Sequence, residues 1–245
     1  MVNELILAWN NKVEQQWLPV GRLKKEGDTY LFQYTNGISD SFKNGTFSPF
    51  VQLDDIHQIY YAKELFPLFQ NRLLQKSRPE HDDFLNWINL DKNNYSDFDE
   101  LALTGGIRAT DSLQLFPIPE KKGDLYKVMF FSHGIRHLAP NYIERIKHLN
   151  SGNKLLLMKD IQNKMDDKAL AIRTDDPPEI VGYCPKFLIN GFNQLIGLNG
   201  ENNVHLSVIN VNLNAPTQLR LLCQFSTQWH QDFEPFKDHA FQVIS

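Results

Sequence analysis

The residues able to do chemistry are few and scattered. Three carboxylate pairs, Asp54-Asp55, Asp82-Asp83 and Asp166-Asp167, are of the type that recruits a divalent cation or divides acid and base roles. Adjacent residues on an extended chain point to opposite sides, and helix starts and loops use such acids to cap backbone N–H groups. Cys184 and Cys223 are the only thiols, in Tyr183-Cys184-Pro185 and Leu221-Leu222-Cys223. Those apolar settings suit buried sulfur better than a nucleophile, which needs exposure and a basic neighbour. His133 and His137 lie four apart and lack the further ligands of a metal site. Phosphate loops of the GxxxxGK(S/T) type, zincin motifs, cysteine quartets and G-x-S-x-G elbows are all missing from the sequence. The expectation is therefore no catalytic residue, no metal and no cofactor.

What remains is positive charge, unevenly placed. The 245 residues carry a formal net charge of -4. Residues 1–120 hold 11 Lys+Arg against 17 Asp+Glu, whereas residues 121–245 hold 14 against 12. Any nucleic-acid surface thus belongs to the second half. Arg136, Arg145, Lys147, Lys154, Lys159, Lys164, Lys168 and Arg173 form a basic field that either reaches phosphate or is ordinary solvated surface. Each phosphate of a single strand neutralised would lower log affinity by about 0.7 per log unit of salt.

The elements that must carry these groups are mostly strands. Tyr30, Phe32 and Tyr34 alternate with Leu31, Gln33 and Thr35 between turns at Glu26-Gly27-Asp28 and Asn36-Gly37, which predicts a small antiparallel sheet with the runs at Leu5–Trp9 and Gln16–Val20. A long loop is expected to about Gln58, then a helix over Leu65–Lys76 and short helices starting at Asp82 or Asp83 and at Asp97. Pro117, Pro119 and Gly123 mark the boundary where the charge balance also changes. Beyond it, strands are expected at Leu125–Phe131, Lys154–Met158, Ala169–Ile172, Ile180–Tyr183, His205–Val211 and Gln218–Phe225. A helix is expected from Pro140, and helical pieces broken near Gly191. With 42% apolar and 12% aromatic residues, the chain has material for two cores and is not broadly disordered. Two cysteines, no signal-peptide pattern and no apolar stretch of membrane-spanning length place the expectation in the cytoplasm.

Four pieces of the second half, Gly134-Ile135-Arg136-His137, Leu155 to Asp160, Asn163 to Ile172 and Val181-Gly182-Tyr183-Cys184-Pro185, occur in an order that resembles the HIRAN domain, over about residues 125–235. The resemblance implies a small β-rich module that binds DNA ends, above all a single-stranded 3′ end. It implies that Asp166 accepts a hydrogen bond from the terminal hydroxyl, that Arg136 lies beside phosphate, and that His137, Leu138 and Met165 occupy positions of aromatic contacts. Lys164 stands where the family pattern has proline. Lys159 and Lys168 join as phosphate contacts, and Tyr183 is either a stacking platform or a packed strand residue. Leucine and methionine lack the full π face that makes stacking worth about 1–3 kcal/mol per base. Asp166 could instead cap its loop or pair with Lys168, and Arg136 could serve an ordinary ion pair.

In the first half, Val20-Gly21-Arg22-Leu23, Tyr30 to Tyr34, Phe66-Pro67-Leu68-Phe69 with Asn71-Arg72-Leu73, and Gly105-Gly106 resemble the N-terminal subdomain of HipA-type toxin kinases, over about residues 3–118. That subdomain packs on a kinase body, which this sequence replaces with the HIRAN-like half. Arg108 and Asp111 read as turn and boundary groups. The expectation is an α+β chain of two small β-rich domains. Residues 1–120 form an interaction domain offering a protein-partner surface, and residues 121–245 a HIRAN-like barrel-type sheet with short helices that binds DNA. The function expected is non-catalytic and DNA-associated, in a bacterial or phage protein. The alternative is a protein-interaction regulator of a separate kinase-like or DNA-processing partner.

Overall fold

The computed structural model describes residues 2–12, 16–121, 123–163 and 166–244. The strands are β1 (Glu4–Asn11), β2 (Gln16–Glu26), β3 (Thr29–Tyr34), β4 (Tyr60–Ala62), β5 (Leu113–Pro117), β6 (Leu125–Phe131), β7 (Lys154–Lys159), β8 (Leu170–Thr174), β9 (Ile180–Tyr183), β10 (Val204–Val211) and β11 (Leu221–Gln228). The α-helices are α1 (Ser39–Lys43), α2 (Pro67–Gln70), α3 (His81–Trp87), α4 (Asp97–Thr104), α5 (Pro140–Lys147) and α6 (Lys186–Asn199). The fold is α+β, with two antiparallel sheets in two compact units. Among the described residues no helix is long and apolar enough to cross a membrane.

The first unit comprises Met1–Arg78, Asn94–Ile118 and Glu234–Ser245. Its sheet runs β4-β3-β2-β1-β5. Alternation sends Leu5, Leu7, Leu23, Phe32 and Tyr34 into one core with Phe69, Phe98 and Leu101. The Tyr34 hydroxyl donates to the Leu53 carbonyl (2.6 Å) and accepts from the Phe50 N–H (2.9 Å), pinning a tight turn to the sheet. Helix α4 begins on a capping box between Ser96 and Asp99 and ends at Gly105 in a left-handed conformation. The end of the chain returns to this unit: the Ile244 N–H donates to Tyr34 O (2.9 Å), and Arg22 Nε donates to Phe241 O (2.9 Å).

The helix expected over residues 65–76 is reduced to the single turn α2. After it, Arg72 donates to the carbonyls of Leu68 (3.0 Å) and Gly106 (2.8 Å), and the Leu74 N–H donates to Glu100 Oε1 (2.7 Å). The bonds to Gly106 and Glu100 are tertiary, and they draw the chain out of the helical path that its apolar spacing favours. Conversely, α1 forms within the stretch expected as a long loop.

The second unit comprises Pro79–Asn93 and Pro119–Phe233, with the sheet order β6-β11-β10-β7-β8-β9, a curled half-barrel. Its core joins Tyr126, Val128 and Phe130 to Leu155, Ile172, Leu206, Phe225 and the inner face of α6. The helix is continuous through Gly191, where a break was expected. A Cβ placed there would lie 3.6 Å from the Phe233 ring, in ordinary contact, so the position packs against that ring, and burial of the helix outweighs the low helix propensity of glycine. Phe192 stacks on Phe225 with centroids 3.9 Å apart. Helix α3 is tied to the end of β10, where the side chains of Asn210 and Asn212 donate to the carbonyls of Asn86 and Trp87. Cys184 and Cys223 are both buried as free thiols, and burial pushes each thiol pKa up, away from the reactive thiolate.

Candidate functional site

The turn after β6 is shaped by glycine. Gly134 adopts a left-handed conformation (φ 74°) that L side chains rarely adopt, and a Cβ on it would meet the Tyr183 ring at 3.1 Å. The ring therefore lies directly against the backbone of the turn that carries Arg136 and His137. Gly182 (φ 133°) is still tighter, because a Cβ there would sit 1.8 Å from Ser132 Oγ and 2.8 Å from His133 O. That close approach lets His133 and Tyr183 exchange both backbone hydrogen bonds at 2.9 Å. The two glycines thus join the end of β6 to β9. Burial holds the His133 imidazole below its ordinary pKa, favouring the neutral ring.

From Tyr183 a polar chain runs into the loop after β7. The phenol donates to Asp160 Oδ2 at 3.0 Å, and Asn163 Nδ2 donates to the same oxygen at 3.2 Å. Asn163 Oδ1 accepts from the Asp166 N–H at 3.2 Å, and Asp166 Oδ1 accepts from the Lys168 N–H at 3.0 Å. Asp166 Oδ2 meets Lys186 Nζ at 3.4 Å. Tyr183 and Lys186 lie three residues apart across the junction of β9 and α6, so this junction clamps the loop at two points. Burial, followed by the bond to Asp160 and its charge, raises the Tyr183 pKa and keeps the phenol protonated as the donor.

The other expected site residues differ in exposure and in partners. Arg136 and His137 are exposed on the turn, with Arg136 Nε donating to His137 Nε2 at 2.9 Å. Lys159 and Lys168 are exposed at the two ends of the loop, and among the described residues no salt bridge engages Arg136, Lys159 or Lys168. Asp166 is partly exposed, its side chain at 19%, and its ion pair is with Lys186 and not with the Arg136 guanidinium. Leu138 is half-buried and packs against the core of the second unit. Lys164 and Met165 lie outside the described residues.

Much of the wider basic field is committed elsewhere. Arg145 donates to Asp176 O (2.9 Å) and approaches Glu179 Oε2 (3.6 Å), and Lys147 pairs with Glu144 (2.6 Å). Lys154 faces Asp175 (3.5 Å), and Arg173 donates to Thr174 O (2.9 Å). Sequence reasoning missed Asp160, Asn163 and Lys186. Asp160 and Asn163 lay inside the quoted motif pieces, but the role of Asp160 depends on Tyr183, 23 residues away. Chemically, the surface offers a hydrogen-bond acceptor, an exposed guanidinium beside an imidazole, and lysines at the loop ends. Those groups suit a hydroxyl and phosphates. Among the described residues no cluster of three or more His, Cys, Asp or Glu could hold a metal.

No protein-family model and no curated protein matches the chain. Among solved structures it is similar to the HIRAN domain of human HLTF, at 14% identity and a TM-score of 0.35, over 51% of this chain and 100% of that one. It is also similar to a protein from Lactobacillus plantarum, at 16% identity and a TM-score of 0.33, over 43% of this chain and 99% of that one. Both likenesses are distant, and the reading of the site rests on the residues themselves.

Proposed function

We propose that residues 121–245 bind DNA without catalysis, at a single-stranded segment or a free 3′ end, through the surface around Tyr183. The observation that supports this reading is the clamped loop: Tyr183, whose ring lies against the turn bearing Arg136, holds Asp160, and Lys186 holds Asp166. Asp166 would accept from a terminal hydroxyl, Arg136 and His137 would meet the adjoining phosphate, and Lys159 and Lys168 would attract the strand. Lys164 and Met165 belong to the same proposed surface by sequence, and Leu138 would support it from beneath.

Fluorescence anisotropy tests the reading with three DNAs at two salt concentrations: a single strand with a free 3′ hydroxyl, the same strand blocked at that end, and a blunt duplex. The free-ended strand should bind best. Asp166→Asn should weaken binding to the free end more than to the blocked one, by about tenfold for a lost charge-assisted bond. Arg136→Ala should weaken both and flatten the salt dependence by about 0.7. Equal and negligible binding to all three would reject the DNA reading.

That rejection would favour the second reading, a regulator that docks a protein partner through residues 1–120. Its support is β4, an edge strand on which Tyr61 is 64% exposed and the preceding Ile59 is 41% exposed. An edge with unpaired backbone and apolar side chains is suited to receiving a partner strand.

A further inference from the structure

Ile161 is 82% exposed, more than any other large apolar side chain described in the second unit. It does not sit on a slack loop. Residues 160–163 form a turn closed by the Asn163 N–H on Asp160 O (3.1 Å) and by the Asn163 amide on Asp160 Oδ2 (3.2 Å). The turn is fixed to the sheet at its base, because Asp160 N–H donates to Ala169 O (2.9 Å) and Tyr183 donates to the Asp160 carboxylate. Four hydrogen bonds therefore hold an aliphatic side chain out in water, where it contributes nothing to the core. Exposed cations stand at both ends of the base: Lys159 immediately precedes Asp160, and Lys168 immediately precedes Ala169.

A rigid apolar tip flanked by cations has the form of a wedge for stacked bases. Proteins that open or kink a duplex insert an aliphatic side chain at a base step while basic residues hold the phosphates on either side. We propose that Ile161 is such a wedge, inserted at the terminal base pair of a duplex so that the freed 3′ strand reaches the Asp166 surface. This rests on the end-binding reading and adds a substrate to it, the duplex end. A single strand has no pair to open and would not need Ile161.

The test uses the full chain and a fluorescent base analogue at the 3′ terminus, once in a single strand and once in a blunt duplex. The parent protein should bind both and brighten the analogue in the duplex as it unstacks. Ile161→Ser should bind the single strand as the parent does, yet bind the duplex about tenfold more weakly, without brightening, for the loss of one buried aliphatic side chain. Ile161→Met should restore the duplex signal. Ile161→Ser behaving like the parent on the duplex would overturn the wedge, as would equal weakening on both DNAs. A parent that binds the single strand but leaves the duplex closed would overturn it while the end-binding reading stands. A parent that binds neither would remove both.

Discussion

The two units treat their charged groups in opposite ways. In the first, ionisable side chains are buried and hold loops in place. The Arg72 side chain is 1% exposed, donates to two carbonyls and makes a bidentate contact with Asp111, while Glu100 is 2% exposed and accepts from Leu74 N–H. In the second, no Asp, Glu, Lys or Arg appears among the buried residues described, and the junction of β6 with β9 depends on Gly134 and Gly182, which admit the Tyr183 ring and the Ser132 hydroxyl. Among the described cations of that unit, Arg136, Lys159 and Lys168 are exposed and make no salt bridge, whereas Arg145, Lys147, Lys154 and Lys186 pair with acids. Burying a charge fixes a structure and removes the group from recognition; a glycine junction fixes a structure and leaves the charges outside.

Three experiments bear on this contrast. The largest effect is expected from Gly182→Ala, since its Cβ would overlap Ser132 Oγ and the backbone is left-handed. A loss of about 3 kcal/mol or more should appear in denaturant unfolding. Gly152→Ala is the control for a positive φ (85°) with nothing within 4 Å, and should cost only about 1 kcal/mol. Equal costs would mean that strain, not close approach, explains Gly182.

Next is Arg72→Met, which strands two carbonyls and one carboxylate. The Asp111 side chain is 29% exposed and can rehydrate, so the cost should be about 2 kcal/mol, below that of a sealed pair. Unfolding by circular dichroism would report it. An unchanged midpoint would show that the buried guanidinium is not what holds the loop after α2.

The smallest effect concerns pH. Burial pushes the Glu100 carboxyl up from its ordinary value of 4.5 to about 7. The Leu74 N–H and Lys76 oppose the shift, and Asp97 adds to it. Between those two values the unfolded chain has released a proton that the folded chain still holds, so stability falls as pH rises through this window. Glu100→Gln should remove that slope and gain on the order of 1 kcal/mol at pH 8 relative to pH 5, as thermal midpoints at the two pH values would record. A parent midpoint that rises between pH 5 and 7 would contradict the neutral, buried carboxyl.

Legibility in the sequence followed the range of the forces involved. Alternation at Tyr30–Tyr34 and the apolar run at Leu125–Phe131 announced β3 and β6, because side-chain period and burial are local properties of a strand. Gly134 and Gly182 stood out as motif glycines, although what they approach could not be read. Gly191 misled, since the same residue that weakens an isolated helix fits the Phe233 ring in a packed one. A single cut near residue 120 also does not describe which residues pack together, as 79–93 group with the second unit and 234–245 with the first.

The sequence carried the two sheets' main strands and the uneven charge, and it named candidate binding residues. Only the tertiary structure decided how those residues are used: that Asp166 meets Lys186, that Asp160 holds Tyr183, and that Ile161 is left in water while Glu100 is taken out of it. The reason is distance along the chain. Patterning and turn preference act over a few residues, whereas these pairings join segments that become neighbours only when the sheets close, and burial then selects which polar groups are bonded and which remain available.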